Sequence, residues 1–454
     1  MTARSRKLFE PTQTDESLCA HDSALQCVDF PQARRALLRW FQLYGRRFPW
    51  REDQTPYRVW VSEIMLQQTT TQTVCGYFEP FLTKFPDVAT LARAPLDDVL
   101  KAWEGLGYYR RARALHQGAQ LLLERYHGVF PSEYSQIIAL PGVGRYCAGA
   151  ILSFGFDLPY PILEANTTRL NARLTALQQL TTTANAQRTL WRCAEMWLPR
   201  DNARRASNLY RRLNAALTDL GSMLCVPNNP RCEQCPIERF CQARALGLQN
   251  DLPILPQKET PTQCDDLALW LTRGEFGAEL SHVTTSDARR PCDSDVLLVH
   301  RRADALWPGL WDFPRWRVAL QQRYDPVAIA TDVALKDRVQ FFMEEECGAR
   351  GVEFYLNAPI KKFSHAVTRY RVTLWLAQLQ REPYVPKSEG QAQFFFMPPV
   401  QQREGRNLAP VEPMASQAQE LRWVALERLN DYPLSSTGRK IANFIRARRN
   451  ASRL

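Results

Sequence analysis

The 454-residue chain contains no run of eighteen apolar residues, which excludes a helical membrane span. Its first segment, MTARSRKLFEPTQTDESL, lacks the apolar stretch of an export signal, so secretion is not expected and a cytoplasmic protein is (nucleoid-associated in a bacterium). Acidic residues are in the minority, 47 against 58 Lys and Arg, and the net charge of +11 favours a polyanionic partner. Strand-like alternation is scarce before about residue 245, and no internal repeat occurs. Hydrophobic content of 45% and charged content of 23% are ordinary for a globular protein with a sizeable core. Twelve cysteines are present, but without an export signal disulfides are not the expected use of them.

The organisation follows from periodicity. Residues 1–30 mix charged and small polar side chains without a period and are expected to be a loose tail. Residues 31–245 place apolar residues at three- and four-residue spacing in segments such as RRALLRWFQLYGRR and RARALHQGAQLLLERY, which predicts an all-helical region. Residues 246–268 contain three prolines and little periodicity, as a linker would. From 269 to 454 the segments ALWLTR, VLLVHRR, VEFYLNA and YRVTLWLAQL read as strands and VALKDRVQFFMEEE as a helix, giving an α+β domain with loop insertions near 274–294 and 383–418.

The densest information lies in LPGVGRYCAGAILSFGFDLPYPILE, residues 140–164. A Pro-Gly-Val-Gly turn feeds a helix of small residues, an arrangement that lets backbone N–H groups approach a phosphate. The carboxylate of Glu164 follows, which suggests chemistry on nucleic acid rather than binding alone. Glu63, in WVSEIMLQQT, stands among apolar neighbours that should raise its pKa and suit it to proton donation. Cys225, Cys232, Cys235 and Cys241 have six, two and five residues between them, close enough to converge on one metal centre. Zinc ribbons use two CxxC knuckles; only one is present here, so the compact loop suits a four-iron cluster better.

Together these features resemble the helix-hairpin-helix DNA glycosylases that carry a four-iron cluster. Within that group PWREDQTPYRVWVSEIMLQQT, GLGYYRRARAL, LPGVGRYCAGAIL and FSH look like adenine glycosylases of the MutY type rather than endonuclease III-type enzymes. The latter place a lysine after LPGVGR, whose amine forms a Schiff base with the sugar; Tyr146 stands there and cannot. The resemblance implies a six-helix barrel with an iron-sulfur helical subdomain, then a Nudix-like domain. It implies a monofunctional hydrolysis of the glycosidic bond of adenine opposite 8-oxoguanine or guanine in duplex DNA. A [4Fe-4S] cofactor, a DNA partner, no membrane and a monomeric state go with it.

The residue roles implied by the resemblance are these. Glu63 is the general acid, Glu164 stabilises the sugar cation, and Tyr146 and Asn166 orient the carboxylate and water. Trp50, Arg51 and Leu66 match walls of the base pocket. Gln68 and Tyr109 match intercalating positions, with Arg110, Arg111 and Arg113 beside Tyr109 favouring DNA contact. Gly142, Val143 and Gly144 grip a phosphate, while Phe363, Ser364 and His365 match a lesion-sensing loop.

Three departures from the pattern bear on activity. Glu164-Ala165 replaces Asp-Gly, lengthening the acid's arm and raising the question of whether Ala165 tolerates the turn. Ala215 occupies a place where the family commonly has Glu or Gln to hydrogen-bond adenine. Phe341-Phe342 replace the Arg-Glu that a Nudix pyrophosphohydrolase needs, so that activity is not expected despite EEECG at 344–348. A glycosylase of shifted base specificity and a lesion-binding protein without excision stand as rival readings.

Overall fold

The structure, a computed structural model, describes residues 25, 27–199, 208–257, 259–278, 280, 283–285, 292–302, 308–318, 337, 339–349, 354–357, 359–367, 370–381 and 418–451. The chain forms two compact units, Met1–Ala94 with Arg110–Gln257 and Pro95–Tyr109 with Lys258–Leu454. Among the described residues no helix is long and apolar enough to cross a membrane.

The first unit is helical, as its periodicity requires. Its longer helices are α1 (Phe30–Tyr44), α2 (Pro56–Leu66), α3 (Thr71–Lys84), α4 (Arg110–Tyr126), α5 (Arg145–Ala150), α6 (Ala165–Leu174), α7 (Ala184–Met196) and α8 (Leu209–Met223). Local chemistry marks the starts: the side chains of Asp29, Thr55, Thr70 and Thr183 each accept a backbone N–H in the first turn that follows. A single wide turn, Ile151–Gly155, extends α5. Helix α2 buries eight of its eleven residues, so it runs through the core rather than along the surface. Helices α6 and α8 meet at Gly221, where a Cβ would fall 2.8 Å from the carbonyl of Asn166, closer than any side chain allows.

The expected loose tail reaches further into the fold than its composition implied. Residues 1–24 lie outside the described residues, but Leu25, Val28 and Phe30 are buried with Leu37, Leu170, Trp197 and Leu220.

The second unit is α+β. One sheet has the order β5 (Arg315–Val318), β1 (Thr262–Trp270), β8 (Tyr370–Arg381), β6 (Phe354–Leu356), with β7 (Lys361–Val367) also on β8. The other has the order β2 (Thr284–Thr285), β9 (Ala418–Val424), β3 (Val296–Arg301), β4 (Trp311–Asp312). Strands β1 and β8 run parallel, while β5, β6 and β7 are antiparallel to their neighbours. One core gathers Phe276, Phe342, Trp375 and Trp423, and a second packs Trp311, Phe313 and Leu376 against Ile441 and Ile445 of helix α9 (Ser436–Ala451).

Several boundaries differ from the sequence expectation. Strand β1 begins at Thr262, inside the expected linker, and Leu252 is held within the first unit by a hydrogen bond from Arg173 to its carbonyl at 2.8 Å. Pro95–Tyr109, read as part of the helical region, packs with the second unit: Arg439 forms an ion pair with Glu104, and Lys101 donates to the carbonyl of Tyr432 at 3.4 Å. The insertion at 274–294 contributes buried Phe276, Leu280 and Val283 to the core, while that at 383–418 lies outside the described residues except for Ala418.

Candidate active site

The central carboxylate is Glu63, on a core-traversing helix. Only 6% of it is exposed, and the phenol of Tyr146, from the second position of α5, donates to its Oε2 at 2.7 Å. Burial raises the Glu63 pKa to about 7 and outweighs the Tyr146 hydrogen bond, which favours the charged form; Glu164 pushes the same way as burial and Arg51 the opposite way. The sequence expectation paired Tyr146 with Glu164, but the phenol bonds Glu63. Its own pKa is held well above the usual phenol value by burial and the two carboxylates, so it remains a donor.

Glu164 stands at the N-cap of α6 and is half-buried. Its Oε2 accepts from the backbone N–H of Asn166 at 2.8 Å and the Asn166 side-chain amide at 3.1 Å. Its Oε1 accepts from the Thr167 N–H at 2.9 Å, and Thr167 Oγ1 in turn accepts from the Glu164 N–H at 2.9 Å. Burial raises the Glu164 pKa, against the hydrogen bonds that favour its ionised form. Ala165 is the first helical residue of α6 and is absent from the left-handed positions, so the Gly-to-Ala departure places no strain on the turn.

Beyond Asn166 the network continues. Arg169 donates to Asn166 Oδ1 at 2.9 Å and to the carbonyls of Gly221 at 2.6 Å and Cys225 at 2.7 Å. One turn on, buried Arg173 donates to the carbonyls of Val226 and Pro227 at 2.7 and 2.8 Å. Two arginines on the buried face of α6 therefore tie the carboxylate's helix to the cysteine loop. Sequence reasoning missed both; an arginine at i and i+4 beside buried Leu170 and Leu174 was the available signal.

The pocket-wall residues divide. Trp50 is buried, stacked on Phe48 with centroids 4.8 Å apart. Arg51 forms a two-pronged pair with Asp219 at 2.8 and 3.1 Å, and Arg46 pairs with the same carboxylate at 2.8 Å. Asp219 is fully buried on α8 and was not singled out from sequence, although an acid inside LNAALTDLGSML is out of place on an apolar face unless paired. Leu66 is half-buried at the end of α2, and Ala215 is buried on α8.

The glycine turn at 142–144 is tight on one side and open on the other. Gly142 adopts φ 76°, and a Cβ there would lie 2.7 Å from Cβ of Ala114, so no other residue fits without displacement. Val143 turns inward and is buried, whereas a Cβ on Gly144 would meet nothing within 4 Å, leaving the start of α5 open to approach. Gln68 is exposed at φ 55°. Tyr109 is buried and its phenol donates to the carbonyl of Leu434 at 3.2 Å; the ring turned to solvent is that of Tyr108, 45% exposed at φ 47°. Arg111, expected at DNA, is buried inside the first unit.

In the second unit Phe363, Ser364 and His365 lie on strand β7, not on a loop, opposite Leu374, Thr373 and Val372 of β8. The alternation in KKFSHAV is that of a half-buried strand, with Ser364 exposed between the partly buried Phe363 and His365. Arg315, doubly bonded to buried Asp266, approaches His365 Nε2 at 3.4 Å. Burial, with Arg315 and then Lys440 acting against Asp266, lowers the His365 pKa to about 4, so the ring is neutral at pH 7. A guanidinium only donates, which leaves Nε2 as acceptor and Nδ1 as the protonated nitrogen.

The four cysteines of the 225–241 loop line one recess together with Arg173 and Arg244. Among the described residues no three His, Cys, Asp or Glu side chains converge on a single metal ion. Burial is the leading cause of the raised pKa of Cys232, Cys235 (to about 12) and Cys241, which favours their neutral thiols. The chemistry of the donor set, four soft sulfurs lining one recess, fits an iron-sulfur cluster.

A buried acid bonded to a tyrosine, a second carboxylate capping a helix and a glycine turn at a helix start make up the candidate site. Residues 61–196 match the HhH-GPD superfamily base excision DNA repair protein family. Among curated proteins it is similar to the adenine DNA glycosylase of Buchnera aphidicola subsp. Baizongia pistaciae, 39% identical over 46% of this chain and 57% of the relative. It is also similar to the adenine DNA glycosylases of Mus musculus (32%, covering 63% of this chain and 61% of the relative) and Homo sapiens (33%, covering 62% and 57%). The chain thus spans somewhat over half the length of the curated relatives it matches. A solved thermostable thymine-DNA glycosylase is 24% identical, covering 51% of this chain and 100% of that chain, with a TM-score of 0.42.

Proposed function

We propose that the protein is a monofunctional DNA glycosylase that hydrolyses the N-glycosidic bond of adenine opposite 8-oxoguanine or guanine, the first step of base-excision repair. The observation that carries this reading is the pair of carboxylates with unequal surroundings. Glu63, at a pKa of about 7, is substantially protonated near neutrality, whereas Glu164, whose pKa burial also raises, accepts three N–H donors that favour its charge.

The chemistry follows from that inequality. Glu63 delivers its proton to the flipped purine, which then leaves with the electron pair of the C1′–N bond. The Glu164 carboxylate, aimed by Asn166, stabilises the positive charge that develops on the sugar, and water attacks C1′. Tyr146 holds Glu63 in place and supplies no amine, so strand cleavage is no part of the reaction. Trp50, Arg51 and Leu66 form pocket walls, Gly142, Val143 and Gly144 a phosphate contact, and Gln68 and Tyr109 each take an intercalating role.

A [4Fe-4S] cluster would be held by Cys225, Cys232, Cys235 and Cys241, where it would bring the loop's thiolates and basic residues into one rigid DNA-facing unit. The second unit is read as a Nudix-like lesion reader that uses Phe363, Ser364 and His365, and the protein as a monomer on duplex DNA. Apolar Ala215 favours one further reading, a shifted base specificity. Excision from duplexes carrying adenine opposite 8-oxoguanine, adenine opposite guanine, or thymine and uracil mispairs tests both. Adenine release without strand breakage is expected; preference for a pyrimidine would transfer the case to the second reading.

A further inference from the structure

The turn after α2 is strained, and a buried side chain braces it. Gln68 lies in the left-handed region at φ 55° with its side chain exposed. A glutamine keeps that conformation only where surrounding bonds impose it. Helix α2 ends at Leu66, and the last carbonyls of any helix have no partner within it. Arg111, the second residue of α4, reaches them from the core. Its Nη1 donates to the carbonyls of Ile64 at 2.9 Å and Met65 at 2.8 Å and to that of Gln67 beyond the helix end. Its Nη2 donates to Thr69 Oγ1 at 3.0 Å. The two residues flanking Gln68 are therefore both bound by one guanidinium. The planar fork of arginine spans these acceptors; the single ammonium of lysine does not. A cation at a helix C-terminus is also electrostatically favoured.

We infer that Arg111 is a positioning residue that pins the Gln67–Thr69 turn and so presents the Gln68 side chain, already shaped, to duplex DNA. The functional half of this inference rests on the insertion role proposed for Gln68. A role confined to packing α4 against α2 would show no coupling to that side chain.

Two measurements on the full-length protein test it. In hydrogen exchange, Arg111→Lys raises exchange in a peptide covering residues 66–70 about tenfold while residues 59–63 of the same helix stay protected. Thr69→Val, which removes this acceptor and the hydroxyl's own donation to the Gln67 carbonyl at 3.4 Å but leaves the three carbonyl contacts of Arg111, gives a smaller change in the same direction. In duplex binding with adenine opposite 8-oxoguanine, Arg111→Lys weakens affinity about tenfold beside Gln68, but less than about twofold in the Gln68→Ala background. Unchanged exchange at 66–70, or an equal loss of affinity in both backgrounds, overturns the inference. Unaltered affinity on Gln68→Ala alone refutes the insertion role, and the exchange measurement still decides whether Arg111 pins the turn.

Discussion

The Tyr146→Phe substitution separates the proton chemistry of Glu63 from its burial. Burial lifts the Glu63 pKa to about 7, and the 2.7 Å hydrogen bond from Tyr146 opposes that rise by favouring the ionised carboxylate. A hydrogen bond to a charged group contributes about 1.5–3 kcal/mol, and one pH unit corresponds to about 1.4 kcal/mol. Removing the phenol oxygen therefore raises the Glu63 pKa by about one to two units. The sign follows from the role: an acid that must be protonated loses activity as pH rises through its pKa, so the alkaline limb moves upward in the variant. Stability moves in step. In the native protein the raised pKa gives a stabilisation present below pH 4.5 and lost as pH rises towards 7, and in the variant this loss extends to higher pH. The assay is single-turnover adenine release from a duplex with adenine opposite 8-oxoguanine, from about pH 5 to about pH 9. A limb that stays put or moves down would refute the assignment of Glu63 as the acid governed by Tyr146.

Three further substitutions probe other parts of the site. Glu164→Asp preserves the N-cap but withdraws the carboxylate by about 1 Å, so single-turnover excision should fall about ten- to a hundredfold while urea unfolding shifts by less than about 1 kcal/mol. Gly142→Ala forces a Cβ to 2.7 Å from Ala114 at φ 76° and should cost about 1–3 kcal/mol in the same unfolding measurement. Purified protein should show the broad visible absorption of an iron-sulfur cluster, lost together with iron content in Cys235→Ser; stoichiometric zinc and no visible band would assign the loop to zinc instead.

Much of the site was legible because its residues lie in short segments whose chemistry is local. Glu63 amid apolar neighbours, the glycine turn and the single-CxxC quartet each declare themselves within a few positions. What escaped notice depends on partners far along the chain. Arg111 looked like a surface cation beside two others, yet its acceptors lie 42 to 47 residues earlier. Asp219 binds arginines more than 160 positions away, and Glu104 joins the second unit through Arg439, 335 positions on. Phe363, Ser364 and His365 match a loop by family resemblance, yet they pair along β7 with β8; KKFSHAV has few strong strand formers, so its local propensity is a weak signal. The doubt over Ala165 dissolved for a local reason, since the first residue of a helix needs no left-handed backbone.

The account's central claim is that buried Glu63 donates the proton that releases adenine. Its most direct test is free adenine measured in a single turnover on a duplex with adenine opposite 8-oxoguanine, for the unmodified protein and for Glu63→Gln. The account predicts intact strands and released adenine from the first. It predicts binding without release from the second, with a rate lower by about 10² to 10⁴. Binding without adenine release by the unmodified protein, or an undiminished rate in Glu63→Gln, would contradict it.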